Sequence, residues 1–576
     1  MDEPRGIPGQ ERGRDDLTAW RAVLARDPLE ADLFFRALAR RRLGEAWAAA
    51  EPRLRAAANA ARDVDADVFE TNRDEHLPVL RPRDALGHDR EDVVFHPAHH
   101  RIGRAFWAAG PLAALAEPGN EVLSGALIYL LDRNGEAGHA CPVACTAGAI
   151  KLLQRAGTPE QRARWLPALL DTDYDRRLHA AQFVTEVQGG SDVGLNACVA
   201  EPVPGEPGRY RITGEKWFCS VADAGLFVVS ARPAGAPDGT KGLGLFLVPR
   251  LLDDRPNGFH LRRLKLKIGT RSMPTGEIEF EGASAESIGP LEHGFRNLVA
   301  VVLDTSRVHN ALAACGILRR AFEEAQAYGL HREAFERRIG GYPAVAELVA
   351  RIKVALQAAL VTTFRILDWS DRIDTGRAGK ELVGARRIAV MINKYWTALA
   401  ATRGVRDAIE VLGGNGTIED FSPLPRLYRD AIVVESWEGT HNTLIAQVLR
   451  DFATRGLHEP WLAALEAEIA ALERELPGEH AARARALLDE VRGRIVRLGG
   501  AMPARVEAVG RHVIDRMCLL ADWVALCDHL AWERRAKQDS GLADVVETYR
   551  RLRLDPVDPQ DDETLAPLLA RVAAGT

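Results

Sequence analysis

The chain is poor in cysteine, methionine and aromatic residues, and each shortage narrows what it can be. Seven cysteines and five methionines are scattered over 576 residues, and Phe, Trp and Tyr together make up 6%. So few dispersed thiols exclude a disulfide framework of the kind that small secreted domains use. Cys141 and Cys145 can share one face of a helix, but no histidine or further cysteine follows at a recognisable metal-ligand spacing. We interpret them as small buried thiols and predict no metal site.

Excess positive charge and long apolar runs are also missing. A formal net charge of −6 and a pI near 6.3 give no general attraction to nucleic acid or to anionic lipid. The first ten residues are polar and turn-forming, without the apolar stretch of a signal peptide, and no uncharged apolar run is long enough to span a bilayer. We therefore expect a soluble, cytoplasmic protein with no membrane partner.

The chain does show a clear change of periodicity along its length. Apolar residues recur at helical intervals in residues 1–180, whereas residues 181–284 carry short β-prone runs separated by Gly, Pro and Asp clusters. Helical patterns return in residues 285–450 and again in residues 451–576. We predict an α+β, mainly α fold of four parts: an N-terminal helical domain, a central antiparallel β domain, a second helical domain, and an appended C-terminal helical domain.

The segment Glu435-Ser-Trp-Glu-Gly-Thr-His-Asn442 is the most informative part of the sequence. It places one carboxylate, Glu438, in a glycine-marked turn at the start of an apolar, helix-like run. Alone, a glutamate in this place is most often only a favourable charge at a helix N-terminus. Two further segments accompany it: Thr185-Glu-Val-Gln-Gly-Gly-Ser-Asp192 opens the β-prone region, and Arg426-Leu-Tyr-Arg-Asp430 lies just before the glutamate. Glu438 is therefore our candidate catalytic base.

Three segments in this order resemble the acyl-CoA dehydrogenase family. The resemblance implies the family's fold, in which the second helical domain is a C-terminal four-helix bundle. It also implies FAD-dependent α,β-dehydrogenation of an acyl thioester (acyl-CoA), with Glu438 abstracting the α-proton and flavin N5 accepting the β-hydride. That chemistry needs a base on one face of the substrate and an electron acceptor on the other. The backbone N–H of Glu438 would help to hold the thioester oxygen.

Matching positions carry the family's site residues over to this sequence. The flavin-ring loop and the strand that covers the flavin supply Val184, Thr185, Gly190, Ser191, Phe218 and Ser220. The other positions expected against FAD, some of them in a neighbouring subunit, are Arg332, Phe335, Gly413, Gly414, Thr440 and Asn442. The substrate would meet Asp304, Arg307 and Gly439. A shared cofactor implies a homodimer or homotetramer, and the resemblance further implies an electron acceptor such as electron-transfer flavoprotein.

Several positions depart from the family's usual pattern. Phe218 and Ser220 stand where tryptophan and threonine are usual, which keeps an aromatic face and a hydroxyl. Ala334 replaces a threonine, and Glu336 replaces a glycine. Usual glutamines are replaced by Pro343, Glu410 and Asn442. These departures, together with shared segments between about residues 90 and 450, resemble the AidB-like branch of the family.

Two alternative functions remain beside dehydrogenation. One is an AidB-like nucleic-acid-binding alkylation-response flavoprotein with weak dehydrogenase activity, and the other is a flavin oxidase or monooxygenase on the same fold. In AidB-like proteins the basic surface that binds phosphates lies on the appended domain. Residues 451–576 contain 17 Lys and Arg against 22 Asp and Glu, a net charge of −5, so we do not expect nucleic acid as a partner. Their apolar stripes instead predict a domain that packs on other helices for assembly and substrate shielding.

Overall fold

The structure is a computed structural model, and it describes residues 8–556, 558, 560 and 562–575. Helices dominate the first part of the chain, as its helical periodicity predicts. They are α1 (Pro8–Leu24), α2 (Pro28–Ala31), α3 (Leu33–Leu43), α4 (Trp47–Asp63), α5 (Asp65–Thr71), α6 (Pro97–Ala108), α7 (Glu121–Leu131), α8 (Ala137–Ala156) and α9 (Pro159–Leu169). A hairpin of β1 (Val79–Arg83) and β2 (Asp89–Val94) interrupts them. The sequence did not predict it, because its mostly exposed and charged strands lack an apolar alternation.

A β domain follows the helices. Its strands are β3 (Ala180–Phe183), β4 (Val199–Pro202), β5 (Arg209–Ser220), β6 (Leu226–Pro233), β7 (Gly244–Pro249), β8 (Leu251–Leu252), β9 (Arg255–Pro256), β10 (Phe259–Leu264) and β11 (Thr275–Ser287). Seven of them form one sheet in the order β10-β11-β5-β4-β6-β3, with β7 pairing both β6 and β11. β3 and β4 run parallel to β6, while the other pairings in this sheet are antiparallel. The domain predicted as antiparallel is thus a mixed sheet, since strand periodicity does not reveal the direction of pairing.

Long helices return after the sheet. They are α10 (Gly294–Asn297), α11 (Leu303–His331), α12 (Pro343–Asp374), α13 (Lys380–Leu412), α14 (Leu424–Ser436) and α15 (His441–Arg455). A small hairpin, β12 (Glu333–Ala334) with β13 (Arg337–Arg338), joins α11 to α12. Pro343 sits in the first turn of α12, where a missing N–H costs nothing, and Gly413 follows the end of α13 with φ +61°. α11, α12 and α13 pack side by side, and α14 and α15 complete the predicted bundle.

The helical run Leu291–His331, which contains α11, is long and apolar enough to cross a membrane by length and composition. However, 72% of its most apolar stretch is buried inside the protein. α11 packs against α7, α8, α12 and α13, so its apolar surface is covered by other helices. It is a helix of the protein's core.

The appended region adds a further layer of helices. They are α16 (His458–Glu475), α17 (Glu479–Gly499), α18 (Pro503–Ala536), α19 (Leu542–Tyr549) and α20 (Leu565–Ala574). The apolar stripe predicted in α16, made of Leu462, Leu465, Ile469 and Leu472, is buried. One hydrophobic core runs from the N-terminal helices through the bundle into α20. The appended helices are therefore packed into the bundle, as their amphipathic pattern predicts.

Asp522 of α18 fastens the appended helices to the bundle. Its carboxylate accepts hydrogen bonds from Thr362 Oγ1 of α12 at 2.8 Å and from Trp396 Nε1 of α13 at 2.9 Å. A third comes from the hydroxyl of Tyr549 in α19 at 3.1 Å. Burial raises the pKa of Asp522, and three donors from three helices satisfy its oxygens. A single side chain thus ties four helices together.

Candidate functional site

The predicted base lies in a tight turn between two helices. α14 ends at Ser436, and α15 begins at His441 after Thr440, whose hydroxyl accepts a hydrogen bond from the N–H of Thr443. Between them Glu438 has φ +56° and Gly439 has φ +104°. A left-handed conformation suits glycine but costs a glutamate roughly 1–2 kcal/mol. The fold must therefore hold Glu438 in this conformation by contacts from outside the turn.

Two buried cations provide those contacts. Arg307 of α11 donates from Nε to the backbone oxygen of Glu438 at 3.0 Å. Lys394 of α13 donates from Nζ to the backbone oxygens of Glu435 at 2.8 Å and of Gly439 at 3.0 Å. Arg307 is 5% exposed and Lys394 is fully buried. Both buried cations therefore donate hydrogen bonds to backbone carbonyl groups that have no partner within a helix.

The Glu438 carboxylate itself is partly buried beside the end of strand β3. Gln182 donates from Nε2 to Glu438 Oε1 at 3.3 Å and to Ser306 Oγ at 2.8 Å. Loss of solvation raises the pKa of Glu438, while the charges of Arg307 and Lys394 lower it. The net result is a raised pKa, which brings a carboxylate closer to the value that suits a general base near neutral pH.

The predicted flavin loop follows β3, and a buried ion pair joins it to strand β5. Glu186 Oε1 lies 2.6 Å from Lys216 Nζ on β5, and these side chains are 3% and 0% exposed. Glu186 also accepts from the backbone N–H groups of Ala197 at 2.6 Å and Cys198 at 3.3 Å. Within the loop, a Cβ on Gly190 would lie 2.9 Å from the Thr185 hydroxyl, so only glycine fits this approach.

The flavin loop touches the helix that follows the Glu438 turn. The hydroxyls of Ser191 and Thr443 lie 3.0 Å apart, and Thr443 lies equally close to Thr440. Phe218 on β5 is 51% exposed, with the ammonium of Lys265 4.8 Å from its ring centroid. The structure therefore brings Ser191 close to Thr443 and Thr440 after the Glu438 turn, although more than 200 residues separate the loop from the turn in the chain. Val184 directly follows the last residue of β3, and Ser220 is the last residue of β5.

The remaining cofactor positions lie on a different part of the surface. Phe335 has φ +49° and is 91% exposed at the tip of the β12–β13 hairpin, directly after which Glu336 has φ +67°. Arg332 caps α11 at the base of this hairpin. Gly413 and Gly414 have open space where a Cβ would project. Such an exposed aromatic ring and bare backbone are available to a group outside this chain.

Three other predicted residues are engaged within the protein. The carboxylate of Asp304 lies 2.5 Å from Arg386 Nη1, and Arg307 holds the Glu438 turn as described. Asn442 Oδ1 accepts from Arg511 of α18 at 2.6 Å, which links the site to the appended helices. The roles of Asp304, Arg307 and Gly439 toward substrate, and of Asn442 toward FAD, stay predictions.

Sequence reasoning missed four residues that shape the site, namely Gln182, Glu186, Lys216 and Lys394. Glu186 and Lys216 lie inside the motif segments at 185–192 and 214–220. Lys394 interrupts the apolar stretch 388–401 of α13, a pattern that can indicate a buried charge with a functional role. No feature of the sequence around Gln182 indicates a role in the site. Its contact with Glu438 arises only when the sheet meets the bundle.

Comparison with known proteins identifies the family to which this arrangement belongs. Residues 292–452 match the model of the acyl-CoA dehydrogenase C-terminal domain, and residues 181–283 match that of the middle domain. Residues 21–176 match the N-terminal domain of the adaptive response protein AidB. AidB of Escherichia coli K12 is 34% identical over 389 residues, which cover 65% of this chain and 69% of AidB. The chain belongs to the acyl-CoA dehydrogenase family.

One relative from an animal and one solved structure support the same family and fold. Acyl-CoA dehydrogenase family member 11 of Caenorhabditis elegans is 29% identical over 429 residues, which cover 71% of this chain and 68% of that protein. The crystal structure of Caenorhabditis elegans ACDH-11 in complex with C11-CoA superposes with a TM-score of 0.82, at 24% identity and over 92% of each chain. This likeness includes the appended helices, since 92% of the chain is covered. The predicted family, the helical–β–helical fold and the class of oxidoreductase are confirmed.

Acyl-CoA dehydrogenases typically bind FAD, and the residues of this chain fit such a group. The exposed ring of Phe218 offers a face for stacking beside the hydroxyls of the flavin loop, and Gly190 lets the loop backbone approach closely. Gly413 and Gly414 leave room for a diphosphate near backbone N–H groups. The assignment of these residues to FAD stays a prediction.

Proposed function

We propose that the protein is a dehydrogenase that removes an α-proton and a β-hydride from an acyl thioester, with Glu438 as the base. The observation that carries the proposal is the meeting of two segments far apart in the chain. Gln182 at the end of β3 donates to the Glu438 carboxylate at 3.3 Å, and Ser191 of the flavin loop lies 3.0 Å from Thr443 of the following helix. These two contacts support a site in which the predicted base lies beside the predicted flavin loop.

The chain's own residues account for the proton transfer. The ionised carboxylate of Glu438 takes the α-proton and becomes neutral, a form that its partly buried surroundings favour. Gln182 orients the carboxylate, while Arg307 and Lys394 keep the backbone of the turn in place. The N–H of Glu438 is expected to hold the thioester oxygen and so acidify the α-carbon. FAD, when bound, accepts the hydride from the β-carbon.

FAD would be held by two surfaces that belong to different subunits. Thr185, Ser191, Phe218 and Ser220 would contact the flavin ring on the chain that carries Glu438. Arg332, Phe335, Gly413 and Gly414 would contact the diphosphate and adenine of the FAD bound by a neighbouring copy. The 91% exposure of Phe335 and the open space at both glycines support this division. The active form would then be a homodimer or a homotetramer.

The relatives support an acyl thioester as the substrate class. A structural neighbour, ACDH-11, has been solved in complex with C11-CoA, which supports an acyl-CoA as substrate here. We further expect the protein to act in the cytoplasm and to pass its electrons to an acceptor such as electron-transfer flavoprotein.

Glu438→Gln tests the assignment of the base. The amide keeps the volume of the side chain but cannot accept the α-proton. We expect FAD to remain bound and flavin reduction by acyl-CoA to slow by at least about three orders of magnitude, at roughly 1.4 kcal/mol per tenfold. Glu435→Gln is the matched control, because Glu435 is a partly buried carboxylate at the end of the preceding helix. Glu435 acts only through the charge of Lys394, so this variant should lose far less of the rate of flavin reduction than Glu438→Gln.

The measurement is anaerobic mixing of the flavin-loaded protein with straight, branched and aromatic acyl-CoAs while flavin absorbance is followed. Bleaching by at least one thioester that is lost in Glu438→Gln supports the proposal. Bleaching that persists in Glu438→Gln would move the base elsewhere. Bleaching by none of the thioesters, with FAD bound, would reject dehydrogenation of this class of substrate.

A further inference from the structure

A cavity outside the Glu438 site lies where the appended helices meet the bundle. It has a volume of about 440 Å³ and is bounded by α12, α13, α18, α19 and the π-helical turn Arg550–Leu554. This volume falls within the range of small-molecule sites, which is roughly 300–1,000 Å³. Neither the flavin loop nor the Glu438 turn contributes a residue to it.

The floor of this junction cavity is apolar. It includes Ala355 and Ala358 of α12, Leu399 and Ala400 of α13, and Leu552 of the π-helical turn. Their side chains are small or only partly buried, so they leave both the space and the apolar surface for an occupant. Covering such a surface is favourable at about 25 cal/mol per Å². The floor therefore suits a hydrocarbon chain.

The rim of the cavity is positively charged. Arg351, Arg403, Arg406 and Arg553 line it. Arg406 pairs with Asp407 at 3.4 Å, and Arg351 pairs with Glu347. Among the residues that the structure describes, Arg403 and Arg553 have neither an ion-pair nor a hydrogen-bond partner. Asp407 also lines the cavity; burial raises the pKa of its carboxyl group, against the lowering effect of the charges of Arg406, Arg351 and Arg553. The N–H groups of Arg403 and Arg553 remain free to donate to an anionic group in the cavity.

Other polar groups at the cavity are already used. Trp396 Nε1 and the Tyr549 hydroxyl both donate to Asp522, which lies at the base of the cavity and is 3% exposed. The hydrogen-bond donors of these two side chains are therefore already used and cannot recognise a nucleobase or a sugar. The chemistry on offer is an apolar floor and unpaired guanidinium groups, which fits a molecule with an alkyl chain and one anionic end.

We propose that the junction cavity binds an amphipathic anion, an alkyl chain that ends in a carboxylate or a phosphate. The chain lies on the alanine-rich floor, and the anionic end binds between Arg403 and Arg553. This inference does not depend on the proposed dehydrogenation. Its occupant contacts bundle and appended helices together, and it also contacts α13, the helix that carries Lys394 under the Glu438 turn.

The test is isothermal titration of the FAD-loaded, full-length protein with decanoate, decyl phosphate, decanol and inorganic phosphate. We expect decanoate or decyl phosphate to bind and the other two, which lack either the charge or the chain, to bind at least about tenfold more weakly. The amphiphile with the higher affinity shows whether the cavity prefers a carboxylate or a phosphate as the anionic end. Binding of neither amphiphile, as when a second copy of the chain covers the cavity, would overturn the proposal.

Variants locate the bound amphiphile, because an alkyl chain can also enter the acyl pocket of a dehydrogenase. Arg403→Gln and Arg553→Gln should each weaken binding at least about tenfold, since each removes one charged partner of the head group. Both residues are exposed, so folding should not depend on them. Arg505→Gln, which changes an exposed arginine of α18 outside the cavity, is the matched control and should bind as the wild type does. Equal affinity in all three variants, or complete competition by decanoyl-CoA, would place the amphiphile at the Glu438 site and overturn the proposal.

Discussion

Two cations of different kinds support the Glu438 turn. Arg307 remains charged near neutral pH although burial lowers its pKa. Burial lowers the pKa of Lys394 to about 7, even though the nearby carboxylates of Glu438 and Glu435 favour its charged form. One of the two supports therefore titrates in the physiological range, and its charge acts on the pKa of the base.

Lys394→Met should move the pH dependence of flavin reduction to higher pH. The rate of proton abstraction rises with pH as Glu438 ionises, so the profile follows the pKa of that carboxyl group. The Lys394 charge lowers this pKa, and its removal raises it. Lys394→Arg keeps the charge and should keep the profile closer to that of the wild type. Anaerobic stopped-flow reduction across the stable pH range gives both profiles, and an unmoved profile in Lys394→Met would contradict the coupling.

The same substitution should alter how stability depends on pH. The ordinary pKa of a lysine side chain is 10.5, and the pKa of Lys394 in the folded protein is about 7. Between these values the folded state binds fewer protons than the unfolded state, so the free energy of unfolding rises with pH in this window. Denaturant titrations at several pH values should show wild type gaining stability relative to Lys394→Met as the pH rises above about 7. A constant difference between the two proteins would show that the lysine stays charged when folded.

The flavin loop depends on an ion pair between two elements, the end of β3 and strand β5. The Lys216 ammonium also lies 3.3 Å from the backbone oxygen of Val184, and the backbone N–H of Trp217 donates to Thr185 at 2.9 Å. Glu186 accepts from two N–H groups across the loop. The ion pair between Glu186 and Lys216 therefore anchors the loop to strand β5. It does not use the side chains of Thr185 and Ser191, which are predicted to contact FAD.

Lys216→Met should destabilise the protein by about 3–5 kcal/mol, since it leaves Glu186 buried without its counter-charge. We also expect a lower ratio of FAD to protein, because the loop loses its support. The double variant Lys216→Met with Glu186→Gln removes both charges and should recover most of the stability. Arg262→Gln, which breaks only the exposed pairs with Glu215 and Glu279, should cost less than about 1 kcal/mol. A double variant as unstable as the single one would show that the charge of Glu186 is not the cause.

Elements with a clear apolar period were predictable from the sequence, and contacts between distant elements were not. The β-prone runs at 209–213, 225–230 and 244–249 fall on strands β5, β6 and β7. β6 and β7 are buried along most of their length and therefore read as short continuous apolar runs, whereas β5 mixes buried and exposed positions. The parallel pairing of β3 with β6 cannot be read from the sequence, because it depends on contacts between residues far apart in the chain. For the site, the motif pointed to Glu438, and the structure supplied Gln182 and Lys394. Long-range packing alone determines these two neighbours.

At the scale of the whole molecule, the arginines of the appended helices are largely neutralised by carboxylates. The pairs include Arg483–Asp555, Arg485–Glu466, Arg492–Glu466, Arg494–Glu490, Arg516–Glu490, Arg551–Glu547 and Arg571–Asp544. A polyphosphate would have to displace these partners one by one. Together with the net charge of −5 in residues 451–576, this pairing disfavours a nucleic-acid surface.

We therefore expect only weak binding of duplex DNA by the full-length protein. At near-physiological salt, the dissociation constant should be no lower than roughly 10⁻⁶ M, in the range of non-specific binding. Fluorescence anisotropy of a labelled duplex across a salt series measures it. The full chain is the right material, because removal of the residues after 451 would uncover the core that α16, α18 and α20 share with the bundle. Nanomolar binding that Arg497→Gln and Arg505→Gln abolish would instead favour a nucleic-acid function.

The shared core also imposes an order of events when the protein is made. α18, which carries Asp522, leaves the ribosome after α12 and α13, the helices that it covers. Translation adds roughly 5–20 residues per second, so the residues beyond α15 need on the order of ten seconds to emerge. During that interval Trp396 and the apolar side chains around it face water or a chaperone. The yield of folded enzyme is then set partly by the speed of the ribosome along this last stretch and by what protects the nascent chain meanwhile.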